Sequence, residues 1–401
     1  MTQIKIFSKR SQKVSEALSI YFNQIVYDLK RKGEDIITLS LGEAFFDIPL
    51  FDFNLLDLEK CHHYTDSSGI PELKKKISRH YLNNFKVHSD YKNEILISAG
   101  SKAIIYMSIQ ALVDSGDEVI LHEPAWLSYA DQIKMAGGKP VFIPYNEKIS
   151  ELKKYISKKT KLIIINNPNN PAGKIYSKTE LKSILKTINK TNIWLLVDEA
   201  YSDFALKQNF ISIGSLSKTK KNIIIVNSLS KNMGISGWRI GYAISNDKFI
   251  RQILKLNQHI VTCAPSILMH YLEKYFDNIL KVTRPQIEIL LDKRKKIFKL
   301  LKKNNLKFLP GTSTFYFFID IDRFSGTSMD FALQMLLEHN IAVVPGVAYG
   351  TSTKRFIRIG IGTESFERIE RAIILISKEI VNKKINKRKI KNFILKLRKK
   401  K

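Results

Sequence analysis

Seven short apolar runs punctuate the chain between about residues 90 and 245. They are EILIS (94–98), EVILH (118–122), PVFIPY (140–145), KLIIINN (161–167), IWLLVDEA (193–200), NIIIVNS (222–228) and RIGYAIS (239–245). The runs are rich in Ile and Val and do not alternate with polar residues, which predicts strands buried on both faces. Stretches with helical spacing separate them. The pattern predicts an α/β fold with a mostly parallel sheet flanked by helices, and such sheets place ligands at the carboxyl ends of their strands. Ahead of the sheet, residues 15–32 read as a helix ended by Gly33, followed by the apolar run Ile36–Leu41. After about 280 the pattern changes to a long Lys-rich helix (281–304), a strand at Ser313–Ile321, a helix (329–339), the short strand IAVVP, the strand RFIRIGI and a last helix (364–382). These predict a second, smaller α+β domain. The expected divisions are 1–40, an N-terminal segment joining the small domain; 41–280, the large domain; 281–382, the small domain; and 383–401, a basic tail.

Composition narrows the picture. The chain has 401 residues, 44% of them hydrophobic, enough for a large core and for two or three domains. Cys61 and Cys263 are its only cysteines, which excludes a disulfide scaffold and suits a reducing compartment. No stretch is apolar and long enough for a membrane span, and MTQIKIFSKRSQ lacks the core of a secretory signal. A soluble cytoplasmic protein is expected. The net charge is +29, but segment 383–401 carries eleven Lys/Arg and no acid, which leaves +18 spread thinly over residues 1–382. A Lys-, Ile- and Asn-rich composition accounts for the body. In the tail, Ile385, Ile390, Phe393, Ile394 and Leu397 lie close to helical spacing. A solvated extension and a basic helix contacting an anionic membrane or nucleic acid both remain open there.

The usual nucleotide and hydrolase signatures are missing: there is no G-x-x-x-x-G-K-[ST], no G-x-G-x-x-G after a strand and no G-x-S-x-G. His62, His63 and His122 have no metal spacing, so no metal is expected. What stands out is Asn227-Ser-Leu-Ser-Lys231 followed by Arg239. A lysine at a strand end, near hydroxyls and another cation, suits a nucleophilic amine, because a nearby cation and partial burial help it lose its proton. Ser228, Ser230 and Arg239 together suit one phosphate. Val197-Asp198-Glu199-Ala200-Tyr201 ends the most apolar strand in a carboxylate that needs a cationic partner, and a protonated pyridine nitrogen is one such partner. Asn166-Asn-Pro-Asn-Asn-Pro-Ala-Gly173 is a rigid turn that aims an Asn side chain inward.

In these separated motifs and their order, residues 11–382 resemble the fold type I, class I/II aminotransferases, which use pyridoxal 5'-phosphate. The resemblance implies the following roles. Lys231 is the Schiff-base lysine and proton shuttle; Asp198 pairs with the pyridinium nitrogen; Tyr201 and Asn170 bond the ring hydroxyl; Trp126, in PAWLSY, stacks on the ring. Ser228, Ser230, Arg239 and the backbone amides of Ser101 and Lys102 hold the phosphate, with Tyr64 reaching the phosphate of a neighbouring subunit, which implies a homodimer with shared sites. Arg358, in FIRIGIG, clamps the substrate α-carboxylate, and Gly42 lies where the N-terminal segment closes over substrate. The implied reaction is a ping-pong exchange of an amino group between an amino acid and a 2-oxo acid. Lys102 lies where aspartate-type and prephenate-type members hold the distal carboxylate, which points to glutamate or aspartate as donor. Ala44 and Ala172 depart from the residues usual at their positions, Pro and Thr. A carbon–sulfur lyase using the same cofactor, and a non-catalytic scaffold with a polyanion-binding tail, are the competing functions.

Overall fold

The computed structural model describes residues 7–207, 210–382 and 385–398. Its strands are β1 (Ile37–Thr38), β2 (Ile95–Ser98), β3 (Glu118–His122), β4 (Lys139–Ile143), β5 (Thr160–Asn166), β6 (Trp194–Asp198), β7 (Ile223–Ser228), β8 (Gly241–Ser245), β9 (Tyr316–Asp320), β10 (Ile341–Ala342), β11 (Val344–Pro345) and β12 (Phe356–Gly360). All seven apolar runs form one seven-stranded sheet of order β2-β8-β7-β6-β5-β3-β4. Strands β4, β3, β5, β6 and β7 are parallel neighbours, and β8 is antiparallel to β7 and β2. Helices cover both faces, which is why the central strands read as unbroken Ile, Leu and Val. Because β8 runs the other way, the residues ahead of it, Arg239 included, come to the same rim as the carboxyl ends of β5, β6 and β7. Its first residue, Gly241, pairs with both Ser228 and Ser98. A side chain at Gly241 would lie 2.3 Å from the Ser101 amide nitrogen, so the rim is packed backbone to backbone there.

The second layer holds the three-stranded antiparallel sheet β11-β12-β9 and the parallel pair β1-β10. The N-terminal segment enters it through the pairing of Ile37 with Ile341. The run IAVVP is not one strand: β10 pairs with β1 and β11 with β12, so the chain changes partner at Val343. Five consecutive buried apolar residues give no pattern that marks such a change.

The helix expected at 281–304 is the second part of a 38-residue helix, Ser266–Lys303, which continues through Pro285. Its first half buries Met269, Leu272, Phe276 and Ile279 in the core under the large sheet, and its second half buries Ile287, Leu290, Ile297 and Leu301 in the small-layer core. Packing on both sides of Pro285 outweighs the backbone hydrogen bond that proline removes. The expected division at 280/281 therefore falls inside a continuous helix.

Of the tail, residues 383–384 and 399–401 lie outside the described residues. Lys387–Arg398 is a helix. Ile390 is buried, Ile385 and Phe393 pack against the small-layer core, and Lys389 pairs with Glu338 at 3.0 Å. That part of the tail is docked on the body rather than a free extension, because its apolar positions share one helical face. Among the described residues no helix is long and apolar enough to cross a membrane.

Candidate active site

Three neighbouring strand ends deliver the chemistry: Asn166 ends β5, Asp198 ends β6 and Ser228 ends β7. Asp198 is 6% exposed. It accepts hydrogen bonds from the Tyr129 hydroxyl (2.7 Å) and the Ala200 amide (3.1 Å). Burial pushes its carboxyl above the ordinary range, against the pull of those two donors and the Lys231 charge. Tyr129 was not anticipated. It is the second residue of the helix Ser128–Met135, three residues after Trp126, and packs edge-on to that ring at 5.2 Å. The W-x-x-Y spacing is the only signal in the sequence that could have found it.

Ser228 caps the short helix Leu229–Asn232, its Oγ accepting from the Ser230 amide at 3.1 Å, and this helix presents Lys231. Lys231 Nζ donates to the Gly42 carbonyl at 2.6 Å. Burial pushes its ammonium down to about 8; Glu43 opposes that shift, and Arg358 and Arg239 add to it. Arg239 has φ +57° and donates to the Ser236 carbonyl at 2.6 Å. A Cβ on Gly100 would lie 2.4 Å from Arg239 Nη2, so only glycine leaves the guanidinium room beside the start of helix Ser101–Leu112. The first amides of that helix, including those of Ser101 and Lys102, have no partner within it. The Lys102 ammonium lies 5.1 Å from the Trp126 ring centre.

The opposite wall comes from the second layer. Arg358, mid-strand in β12 and 3% exposed, donates to the Ser40 carbonyl at 2.6 Å and to Asn170 Oδ1 at 3.4 Å. Its guanidinium lies over the Tyr316 ring at 4.5 Å and the Tyr349 ring at 5.6 Å. Its Nε has no hydrogen-bond partner among the described residues. Asn170 Nδ2 donates to the Tyr201 hydroxyl at 3.3 Å, and the Tyr201 and Tyr316 hydroxyls are 2.9 Å apart. Burial, then the neighbouring Tyr316, raises the Tyr201 hydroxyl well above its ordinary range, so it keeps its proton. A Cβ on Gly42 would lie 3.2 Å from the Tyr316 hydroxyl. Tyr316 was missed because FYFF reads as strand core, and Tyr349 because VAYG lies between two predicted strands with no polar neighbour to set it apart.

One cluster thus joins Lys231, Asp198, Asn170, Tyr201, Arg358 and Gly42, with Arg239, Ser228, Ser230, Ser101, Lys102 and Trp126 along the same rim. Tyr64 is not part of it: it is 85% exposed. Among the described residues no group of His, Cys, Asp and Glu could hold a metal ion.

A partly buried lysine with a lowered affinity for its proton, at the carboxyl rim of an α/β sheet and near a buried arginine, suits an enzyme that uses a lysine amine on a carbonyl group. The comparisons with known proteins make it particular. The family model "Aminotransferase class I and II" matches residues 34–374, and the chain belongs to this family. It is 30% identical over 373 residues to an aspartate aminotransferase of Pyrococcus abyssi, covering 90% of this chain and 95% of the relative. It is 32% identical over 362 residues to the (5-formylfuran-3-yl)methyl phosphate transaminase of Methanocaldococcus jannaschii, covering 88% and 94%. The crystal structure of an aspartate aminotransferase from Thermotoga maritima superposes with a TM-score of 0.82 at 27% identity, covering 94% of this chain and all of that one. The protein is a pyridoxal-phosphate-dependent aminotransferase.

Proposed function

We propose that the enzyme takes its amino group from a dicarboxylic amino acid, glutamate or aspartate, with Lys231 as the reacting amine and Arg358 as the clamp for the substrate α-carboxylate. The observation that carries this reading is Arg358: a buried guanidinium with one donor unpartnered, in the same cluster as a partly buried lysine whose ammonium is pushed down to about 8. The residues fit the cofactor. Gly100 lets the Arg239 guanidinium lie against the start of helix Ser101–Leu112, which offers free amides for an anion, and Ser228 and Ser230 stand beside them. Buried Asp198 suits a protonated ring nitrogen, and Tyr201 with Asn170 suits a ring hydroxyl. When bound, pyridoxal phosphate supplies an aldehyde to carry the amino group and a ring that accepts electrons.

The chain's residues do the rest. Asp198, kept short of water and aligned by Tyr129, holds the ring proton in place. Trp126 covers one face of the ring. Arg358 fixes the substrate by its carboxylate in a bidentate grip. Lys231 Nζ, whose neutral amine burial favours, takes the Cα proton and delivers it to the carbon that had carried the aldehyde; with the 2-oxo acid it moves a proton the opposite way. Gly42, whose carbonyl accepts from Lys231, lets the N-terminal segment pass over the substrate. Lys102 meets the distal carboxylate, a role supported by the aspartate aminotransferases among the relatives.

Tyr64 acts across a homodimer. Its exposure, together with that of Phe45, Leu50 and Leu55 nearby in the chain, supports a second copy covering this segment. The cytoplasm is its compartment, in keeping with two free cysteines. The test is a panel of single amino-acid donors without acceptor. Glutamate or aspartate should discharge the visible band of the holoenzyme fastest, and Lys102→Ala should weaken these donors selectively. An aromatic or aliphatic donor reacting as fast would contradict the donor assignment.

A further inference from the structure

Arg294 lies in the second half of helix Ser266–Lys303 and is 4% exposed. No carboxylate answers it in the contacts described. Its Nη1 donates to the Tyr316 carbonyl, its Nη2 donates to the Gly311 carbonyl at 2.8 Å, and its guanidinium lies 4.0 Å from the centre of the Phe317 ring. A cation held only by carbonyls and a ring is an expensive way to fill a core, since an apolar side chain of similar volume would do so without desolvating a charge.

What the guanidinium touches suggests its purpose. The Tyr316 carbonyl belongs to the residue whose ring lies under Arg358 and whose hydroxyl meets Tyr201. On the other side, a Cβ on Gly173 would lie 2.9 Å from Arg294 Nη2, so the turn that carries Asn170 ends against the same group. The Gly173 carbonyl accepts from the Thr312 and Ser313 amides at 3.0 and 3.1 Å, which ties this turn to the Gly311 segment. Asn170, three residues before Gly173, accepts from Arg358 Nη1. Two of the groups that hold Arg358, the Tyr316 ring and the Asn170 amide, are therefore carried by segments that converge on Arg294. A planar fork reaches both carbonyls at once; a lysine reaches one.

We propose that Arg294 is a positioning residue for carboxylate binding, fixing Tyr316 and the Asn170 turn so that the Arg358 guanidinium keeps one orientation. The inference rests on Arg358 being the carboxylate clamp. Its test is the binding of succinate, and of propionate, which asks only for the clamp, to holoenzyme, followed through the visible band. Arg294→Lys should weaken both about tenfold. The pH midpoint of the band without ligand, which reports the Lys231 end, should stay within about 0.2 unit. Phe317→Leu, a milder change beneath the guanidinium, should weaken binding about threefold and serves if Arg294→Lys does not fold. Unchanged binding in whichever variant folds, or a band midpoint that moves along with it, would overturn the proposal. Propionate binding that survives Arg358→Leu would instead show the clamp assignment to be wrong.

Discussion

Asp198 and Arg358 are both buried and both charged, yet the chain provides for them in different ways. Asp198 ends a continuous parallel strand, and one of its donors, the Ala200 amide, is two residues away. Arg358 sits mid-strand in an antiparallel sheet, and its partners Ser40 and Asn170 are 318 and 188 residues distant in sequence. The side proposed to hold the cofactor is carried mainly by strand-end motifs. The side proposed to hold the carboxylate exists only when the N-terminal segment, the Asn170 turn, β9 and β12 have come together. A fault in the first should spoil chemistry at a bound cofactor, and a fault in the second should spoil the hold on substrate.

The strongest way to break this contrast is at its two charges. Asp198→Ala should lower kcat about a thousandfold, the cost of leaving a buried partner charge unanswered, while succinate still binds. Arg358→Leu should lower kcat/KM for donors about a hundredfold or more, chiefly through KM, with the visible band intact. Steady-state kinetics on both variants, with band titration, would show whether the two losses separate in this way. Tyr129→Phe is gentler: without its hydroxyl donor the Asp198 carboxyl rises further, and kcat should fall about tenfold with KM little changed.

A pH experiment sharpens the Lys231 end. In cofactor-free protein the Lys231 ammonium is pushed down from 10.5 to about 8 by burial, so between those values the unfolded chain binds the extra proton and the folded one does not. Stability should therefore rise with pH across that window, and urea titrations of Lys231→Met should lose this part of the slope. The smallest effect is expected far from both charges. Removing residues 383–401 should leave kcat/KM within about twofold while costing roughly 1–3 kcal/mol of stability for the docked Ile390 face. A loss of turnover there would bring the tail into the site's account.

Legibility follows the same contrast. The seven large-sheet strands were readable because unbroken Ile and Val between helical stretches has few other meanings. Asp198 stood out because it ends such a run in a carboxylate, Lys231 because it follows one among hydroxyls, and Asn170 because it lies in the rigid turn after a third. Tyr129, Tyr316, Tyr349 and Arg294 were not readable, since an aromatic in a helix, an apolar strand or a turn looks like core, and an arginine in a Lys-rich helix looks like surface. The helix Ser266–Lys303 was read only from 281 onward, because its first half packs into one core and its second half into another, and no single window of sequence contains both. The split of IAVVP between two sheets depends on which strands lie beside it, and pairing partners are not encoded in a hydrophobic pattern.

The central claim, that Lys231 is the amine that carries the reaction, is tested most directly by the visible spectrum of wild type and Lys231→Ala supplied with pyridoxal phosphate. Wild type should show a protein-linked band that glutamate or aspartate discharges, and Lys231→Ala should lack that band and turn over no donor. A band that persists in Lys231→Ala with turnover retained would contradict the account.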